Sequence, residues 1–266
     1  MFAKIATPPI PKRVFLLCKA VEKKPIDMAS LKSKFEPPSF KGQSYFGEVR
    51  TAADELGLVS VVENTVSIAT PKDALKDMIS FRKYINSRLE IIRDGQFYKA
   101  TREYMIHSRE ISELPKGERG TTSLSSILNG YNRELKLDEN AVRGWRFWSS
   151  YLGFGYLQEE IYLLPNAGVF LGDIVFTMDW EKNHKYTLTE FINRLQPLCN
   201  ILLSDVDGKE KQLNMAFSNG LRMLHDMGSI TLIHEMDDKD IWSLSSMEAH
   251  PISGIVTGII INEGRK

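Results

Sequence analysis

The sequence predicts an α+β protein, mostly helical, in which successive groups of helices each end in a β-hairpin. Three observations predict it. Apolar residues recur at the 3, 4 and 7 spacing of buried helix faces through most of the chain. Three of these helical runs stop at a glycine, in Leu56-Gly57, Leu152-Gly153 and Met227-Gly228. Each stop leads into a pair of strand-like runs about a turn. The runs are 59–62 with 66–68, 156–157 with 161–164, and 230–233 with 241–244; the turns lie at Glu63-Asn64, 158–160 and the acidic 237–240.

The elements follow in order. After Pro8, Pro9 and Pro11, residues 14–21 form a first helix with Leu16, Leu17, Ala20 and Val21 on its apolar side. Asp27 is placed to cap a short second helix over 28–35. Pro37-Pro38 break the chain, and Ser44 caps a third helix whose buried face is Tyr45, Val49, Ala52, Ala53 and Leu56. Gly57 ends it, because glycine takes left-handed geometry without strain. With its hairpin this is the first module, residues 1–71.

A helical middle segment, 72–118, contains a long helix over 74–92, a break at Asp94-Gly95 and a second helix over 97–111. A polar linker at 116–122 leads to the second module, 119–176. Its main helix, 139–152, is capped by Asp138 and carries Trp145, Phe147, Trp148 and Tyr151; an apolar connector at 166–176 follows its hairpin. The third module, 177–266, opens with a capping box, Thr187 and Glu190, at the head of a helix over 188–203. A connection at 205–208, a helix over 211–227 and the last hairpin complete it. The tail, 252–261, is strand-like and either joins that hairpin or docks on a partner. The glycine stops lie 96 and 75 residues apart, which suits tandem modules with unequal linkers better than a regular solenoid.

Composition narrows the class. At 266 residues, 42% hydrophobic and 26% charged, the chain suits one to three globular domains and neither a disordered nor a fibrous protein. No apolar run approaches the roughly 20 residues a membrane helix needs. The N-terminus lacks a secretory apolar region, so a cytoplasmic location is expected. Cys18 and Cys199 sit far apart in apolar settings and read as buried small hydrophobes, not as a disulfide or zinc pair. Net charge is zero but uneven: residues 1–120 carry 21 Lys+Arg against 15 Asp+Glu, and residues 121–266 carry 13 against 19. The surplus of +6 suits an anionic partner, or halves that attract each other or another subunit.

Helix, helix, helix, glycine stop and hairpin over residues 13–70, echoed at Gly153 and Gly228, resembles the winged helix-turn-helix superfamily. The resemblance implies tandem winged-helix modules, three-helix cores with β-hairpin wings, joined by the helical middle segment. It also implies a third helix that enters the DNA major groove and a wing that touches the backbone. Phosphate contacts then supply affinity and base-edge contacts supply sequence choice. Winged helices serve equally as protein–protein modules, as in chromosome-condensation complexes and polymerase accessory factors.

The candidate recognition helices are unequally equipped. The first offers Arg50 and Thr51 but also Glu48, Asp54 and Glu55, which repel phosphate. The second offers Arg143 and Arg146 beside Asn140 and Trp145; arginine pairs bidentately with guanine and asparagine with adenine. The third offers Lys209, Lys211, Gln212, Asn214, Ser218, Asn219 and Arg222, followed by a hairpin acidic at Glu235, Asp237, Asp238 and Asp240. Residues 81–109 add Arg82, Lys83, Arg88, Arg93, Lys99, Arg102 and Arg109 among Phe97, Tyr98 and Tyr104. That stripe suits a phosphate backbone, or a solvated face of i±4 ion pairs. The nucleic-acid-binding set is therefore Arg143, Arg146, Lys211, Asn214 and Arg222 as helix contacts, with Arg82, Arg88, Arg93 and Arg102 as backbone contacts.

Enzymatic signatures are missing from the sequence. There is no phosphate-cradling GxxxxGK[ST], no GxGxxG after a strand and no GxSxG elbow. The five histidines show no metal-ligand spacing; His225 and His234 flank the third glycine stop as ordinary surface residues. Asp73, Asp77 and the acidic turn at 237–240 lack the lysine of a nuclease pattern. The aromatics at 145–151 suit a core, a protein interface or base stacking. No catalytic residue, metal or cofactor is expected. The expected function is a non-enzymatic DNA-binding protein, a regulator or the DNA-engaging subunit of a multi-protein complex. Its partners are double-stranded DNA and further subunits or a second copy, with no membrane. The alternative is a winged-helix scaffold subunit that binds protein partners in a condensin-like, defence or transposition-type assembly with little DNA contact.

Overall fold

The computed structural model describes residues 5–159, 162–204, 210–252 and 254–262. The expected turn and strand residues 160–161, the connection 205–208 and Lys209 lie outside the described residues. The chain opens with α1 (Pro11–Val21), β1 (Ile26–Asp27), α2 (Met28–Phe35), α3 (Phe46–Glu55), β2 (Val59–Val62) and β3 (Thr65–Ile68). Next come α4 (Met78–Asn86), α5 (Gln96–Ile106), α6 (Ser108–Glu113), α7 (Thr121–Tyr131) and α8 (Glu139–Leu152). They lead to β4 (Gly155–Gln158), β5 (Tyr162–Pro165), α9 (Gly168–Val175), β6 (Lys185–Thr187), α10 (Leu188–Leu203) and α11 (Met215–Asp226). Last are β7 (Ile230–Ile233), β8 (Trp242–Ser243), β9 (Ile255–Val256) and β10 (Gly258–Ile261). The architecture is α+β, with small antiparallel sheets among many helices. No helix among the described residues is long and apolar enough to cross a membrane.

Two compact units emerge, Met1–Ala100 with Thr121–Tyr151, and Thr101–Gly120 with Leu152–Lys266. All of α8 but its last residue therefore belongs to the first unit, and the hairpin β4–β5 that follows belongs to the second.

In the first unit, Pro11 sits at the first turn of α1, where its missing N–H costs nothing. Val14, Leu17, Cys18 and Val21 form the buried face, and Leu16 is 48% exposed because the 3, 4, 7 register counts from Val14. This face packs on Phe46, Val49, Ala52 and Ala53 of α3. The expected helix over 74–92 is interrupted. Asp77 accepts the Ser80 N–H at 2.7 Å and starts α4 afresh, between 3-10 turns at Lys72–Leu75 and Leu89–Ile92. A local side-chain cap competes here with helix continuation. Trp148 of α8 is fully buried and donates from Nε1 to the Pro9 carbonyl at 2.5 Å, pinning the N-terminal segment.

All three glycine stops adopt left-handed geometry, with φ of 61° at Gly57, 88° at Gly153 and 68° at Gly228. Around Gly57 the Leu58 N–H reaches the Ala53 carbonyl (2.9 Å) and the Gly57 N–H the Asp54 carbonyl (2.8 Å). Ser229 and Gly228 repeat the pattern on Leu224 and His225. Both are Schellman motifs, which occupy carbonyls the helix end leaves without partners.

The second unit is built around α9, α10 and α11. The expected apolar connector at 166–176 is the buried helix α9, and Phe154 stacks on its Phe170 with centroids 4.5 Å apart. Helix α10 spans the expected range and kinks at Cys199, just after Pro197. The third hairpin differs from expectation. β7 pairs with the tail strand β10, Ile230 opposite Ile261, and β10 also pairs with β6. Trp242-Ser243 pairs instead with β9. Asp240, just ahead of the expected partner strand, is held by Thr189 and Lys211, and the apolar run at 258–261 takes the central position of the sheet.

Candidate nucleic-acid interface

Helix α3 and the hairpin after it are positioned by polar contacts the sequence did not single out. The Glu36 carboxylate, at the end of α2, accepts the N–H groups of Tyr45 (2.5 Å) and Phe46 (2.7 Å) and the Ser44 hydroxyl (2.9 Å). The backbone N–H bond from Phe46 leads the set that holds this carboxyl below its ordinary range. Glu36, not Ser44, thus supplies the acceptor at the head of α3 and sets it against α2. The Tyr45 hydroxyl donates to the Phe35 carbonyl (2.7 Å), and the Arg13 guanidinium lies over the Tyr45 ring at 4.4 Å.

β2 and β3 pair from Val59–Ile68 to Val62–Thr65. Glu63 and Asn64 at the tip both have positive φ, as a two-residue hairpin turn requires. β1 adds to the outer side of β3, Ile26 opposite Val66, giving the strand order β1-β3-β2. The Met28 N–H also donates to the Asn64 carbonyl at 2.7 Å, so the start of α2 and the hairpin tip are one piece. Val62 at the tip is 63% exposed.

Five of the candidate arginines lie in the first unit. Arg88 is half-buried, hydrogen-bonded to the Tyr84 hydroxyl and stacked on its ring at 5.0 Å. A methyl group at Gly57 would come within 3.2 Å of its Nη2, so this guanidinium sits at the step from α3 into the hairpin. Arg93, at the end of its 3-10 turn, is exposed, and Arg82 on α4 is half-buried. Arg143 is exposed and ion-paired with Glu139 one turn earlier. Arg146 is half-buried with its guanidinium 5.2 Å from the Phe147 ring. The structure brings Arg88 to α3. It leaves Arg143 and Arg146 on α8, where Trp145 and Trp148 are buried in the core.

The other four lie in the second unit and are engaged by it. Arg102 pairs with Glu103 at 2.8 Å. Lys211 precedes α11 instead of lying on it, and its Nζ meets Asp240 Oδ1 at 2.8 Å. Asn214 caps α11, accepting the Phe217 N–H (3.0 Å) and donating to the Leu202 carbonyl (2.8 Å). Arg222 is 2% exposed and donates to the carbonyls of Ile252 (2.9 Å) and Ser245 (2.8 Å). Burial of this guanidinium lowers its pKa, and the fold uses its donors.

Exposed lysines that sequence reasoning passed over accompany α1 and α2: Lys23 and Lys24 before β1, Lys34 on α2 and Lys41 after it. Their signal was local density, six lysines against three carboxylates over residues 19–41. Counted by unit, the first carries 21 Lys+Arg against 14 Asp+Glu, net +7, and the second 13 against 20, net −7. Comparison of the chain with protein-family models, curated proteins and solved structures finds no match to any of them.

Proposed function

We propose that residues 11–68 are a winged-helix module and that the first unit binds double-stranded DNA without catalysing a reaction, as a regulator or as one subunit of a larger assembly. The observation that carries this reading is the order helix, strand, helix, helix, hairpin with strand order β1-β3-β2, in a unit of net charge +7. In such a module α3 is the helix offered to a groove and β2–β3 is the wing. Glu48 and Asp54 are exposed on α3, so base readout by that helix is weak and the phosphate backbone provides most of the affinity. Arg88 at the helix-to-wing step, Arg93 and the lysines around α2 are the cations for it.

The test is duplex binding by charge-reversed full-length protein. Lys24→Glu together with Arg93→Glu lowers affinity about tenfold and equally for unrelated duplex sequences. Arg222→Lys leaves the affinity of the folded protein unchanged. Unchanged binding by the first variant would remove the proposed surface. A second reading, a scaffold that binds protein, is favoured by apolar side chains exposed on the same unit: Leu16 at 48%, Ile79 at 57% and Ile91 at 56%. Stoichiometric co-purification of a partner that is lost in Ile79→Asp or Ile91→Asp, with no duplex binding, would select it.

A further inference from the structure

We propose that the second unit holds a binding site for a small amphipathic carboxylate, an acid with an apolar tail. The site is a cleft of about 670 Å³ bordered by α11, β4–β5, α6 and Arg119. Its size falls within the roughly 300–1,000 Å³ of small-molecule sites. Its wall is apolar and built largely of methionine. Met215 and Met223 face it from α11, where their sulfurs meet the hydroxyls of Ser112 (3.6 Å) and Tyr156 (3.0 Å). Met227, 58% exposed, and Leu164, 39% exposed, extend the wall. Methionine is unbranched and polarisable, which suits a wall that must follow a flexible tail.

The cation of the cleft is oriented in advance. Arg119 Nε donates to the Leu114 carbonyl at 2.6 Å, and the guanidinium lies 5.1 Å from the centroid of the Tyr162 ring. These two restraints fix its plane. Its terminal nitrogens take no hydrogen-bond partner among the described residues, and a carboxylate is the group that matches two parallel guanidinium donors. The other charged groups of the cleft are already matched. Asp226 meets His250 Nε2 at 3.1 Å, and Arg222 donates to Ile252 and Ser245. A single guanidinium with its terminal donors open, Arg119, beside an apolar wall therefore selects a monoanion with an apolar body over a polyanion or a neutral hydrocarbon.

Calorimetric titration of the full-length protein with decanoate and with decanol tests the site. The proposal expects saturable one-to-one binding of decanoate, about tenfold or more tighter than decanol. Arg119→Gln brings the two affinities together, and Met223→Gln weakens both. If Arg119→Gln fails to fold by circular dichroism, Arg119→Lys replaces it and is expected to reduce the preference for the acid without abolishing it. Absence of decanoate binding, equal binding of acid and alcohol by the wild type, or an acid preference that survives loss of Arg119 would overturn the proposal.

Discussion

Arg222 and Asn214 carry donors that a sequence reading points at DNA, and both spend them inside the second unit. Arg222→Ala leaves the carbonyls of Ile252 and Ser245 without their partners, and a loss of about 2–4 kcal/mol is expected in urea denaturation. Asn214→Ala removes the cap of α11 and the bond to Leu202, a loss of about 1–2 kcal/mol in the same measurement. Asp240 sets an acid limit. Burial alone would raise its carboxyl, but hydrogen bonds from Lys211 and Thr189 overcome it and hold the pKa at about 2, below the ordinary 3.8. Its contribution is complete above that ordinary value and is lost as pH falls toward 2. Asp240→Asn should therefore flatten the stability profile between these two pH values; an unchanged profile would mean Asp240 is not the group. None of these assignments was legible in residue type, because the same guanidinium or amide serves a surface or an orphaned carbonyl equally well.

At the scale of elements, α3 is held from two sides. Val49, fully buried against α1, anchors its inner face, and Val49→Ala is expected to destabilise the protein by about 2 kcal/mol by thermal or urea unfolding. Glu36 anchors its head. Its folded pKa lies below the ordinary 4.5, so the stabilisation is present above that value and disappears as pH falls through the folded value. Glu36→Gln should lessen the acid sensitivity of unfolding. On the outer face, Glu48→Gln with Asp54→Asn removes two exposed carboxylates from the helix that the proposed function turns toward DNA, and on that proposal duplex affinity should rise about three- to tenfold. What the sequence made legible at this scale was whatever is decided locally. The glycine stops hold at all three positions because left-handed backbone is a one-residue requirement. Hairpins β2–β3 and β4–β5 form across short turns. The partner of β7 lies some 25 residues further on, past a loop held by Asp240, and strand pairing at that range leaves little mark on local pattern. β1 was missed because two residues are too few to show alternation.

For the molecule as a whole, the neutral total of the chain conceals units of +7 and −7. The sequence already showed a surplus in its first 120 residues. It did not show that residues 121–151 belong with the basic unit and 101–120 with the acidic one, since that division depends on which helices share a core. Of the nine candidate contacts, five lie in the first unit, where Arg88 and Arg93 belong to the proposed surface, and the four of the second unit are engaged within that unit. The proposed DNA binding is accordingly assigned to the first unit and is electrostatic in the main. The direct measurement is the affinity of the full-length protein for a duplex across salt concentration. Binding at about 50 mM salt is expected, with a linear fall of log affinity with log salt whose slope is shallower by about 2 in Lys24→Glu/Arg93→Glu. No binding at that salt, or binding with no salt slope, would contradict the proposal.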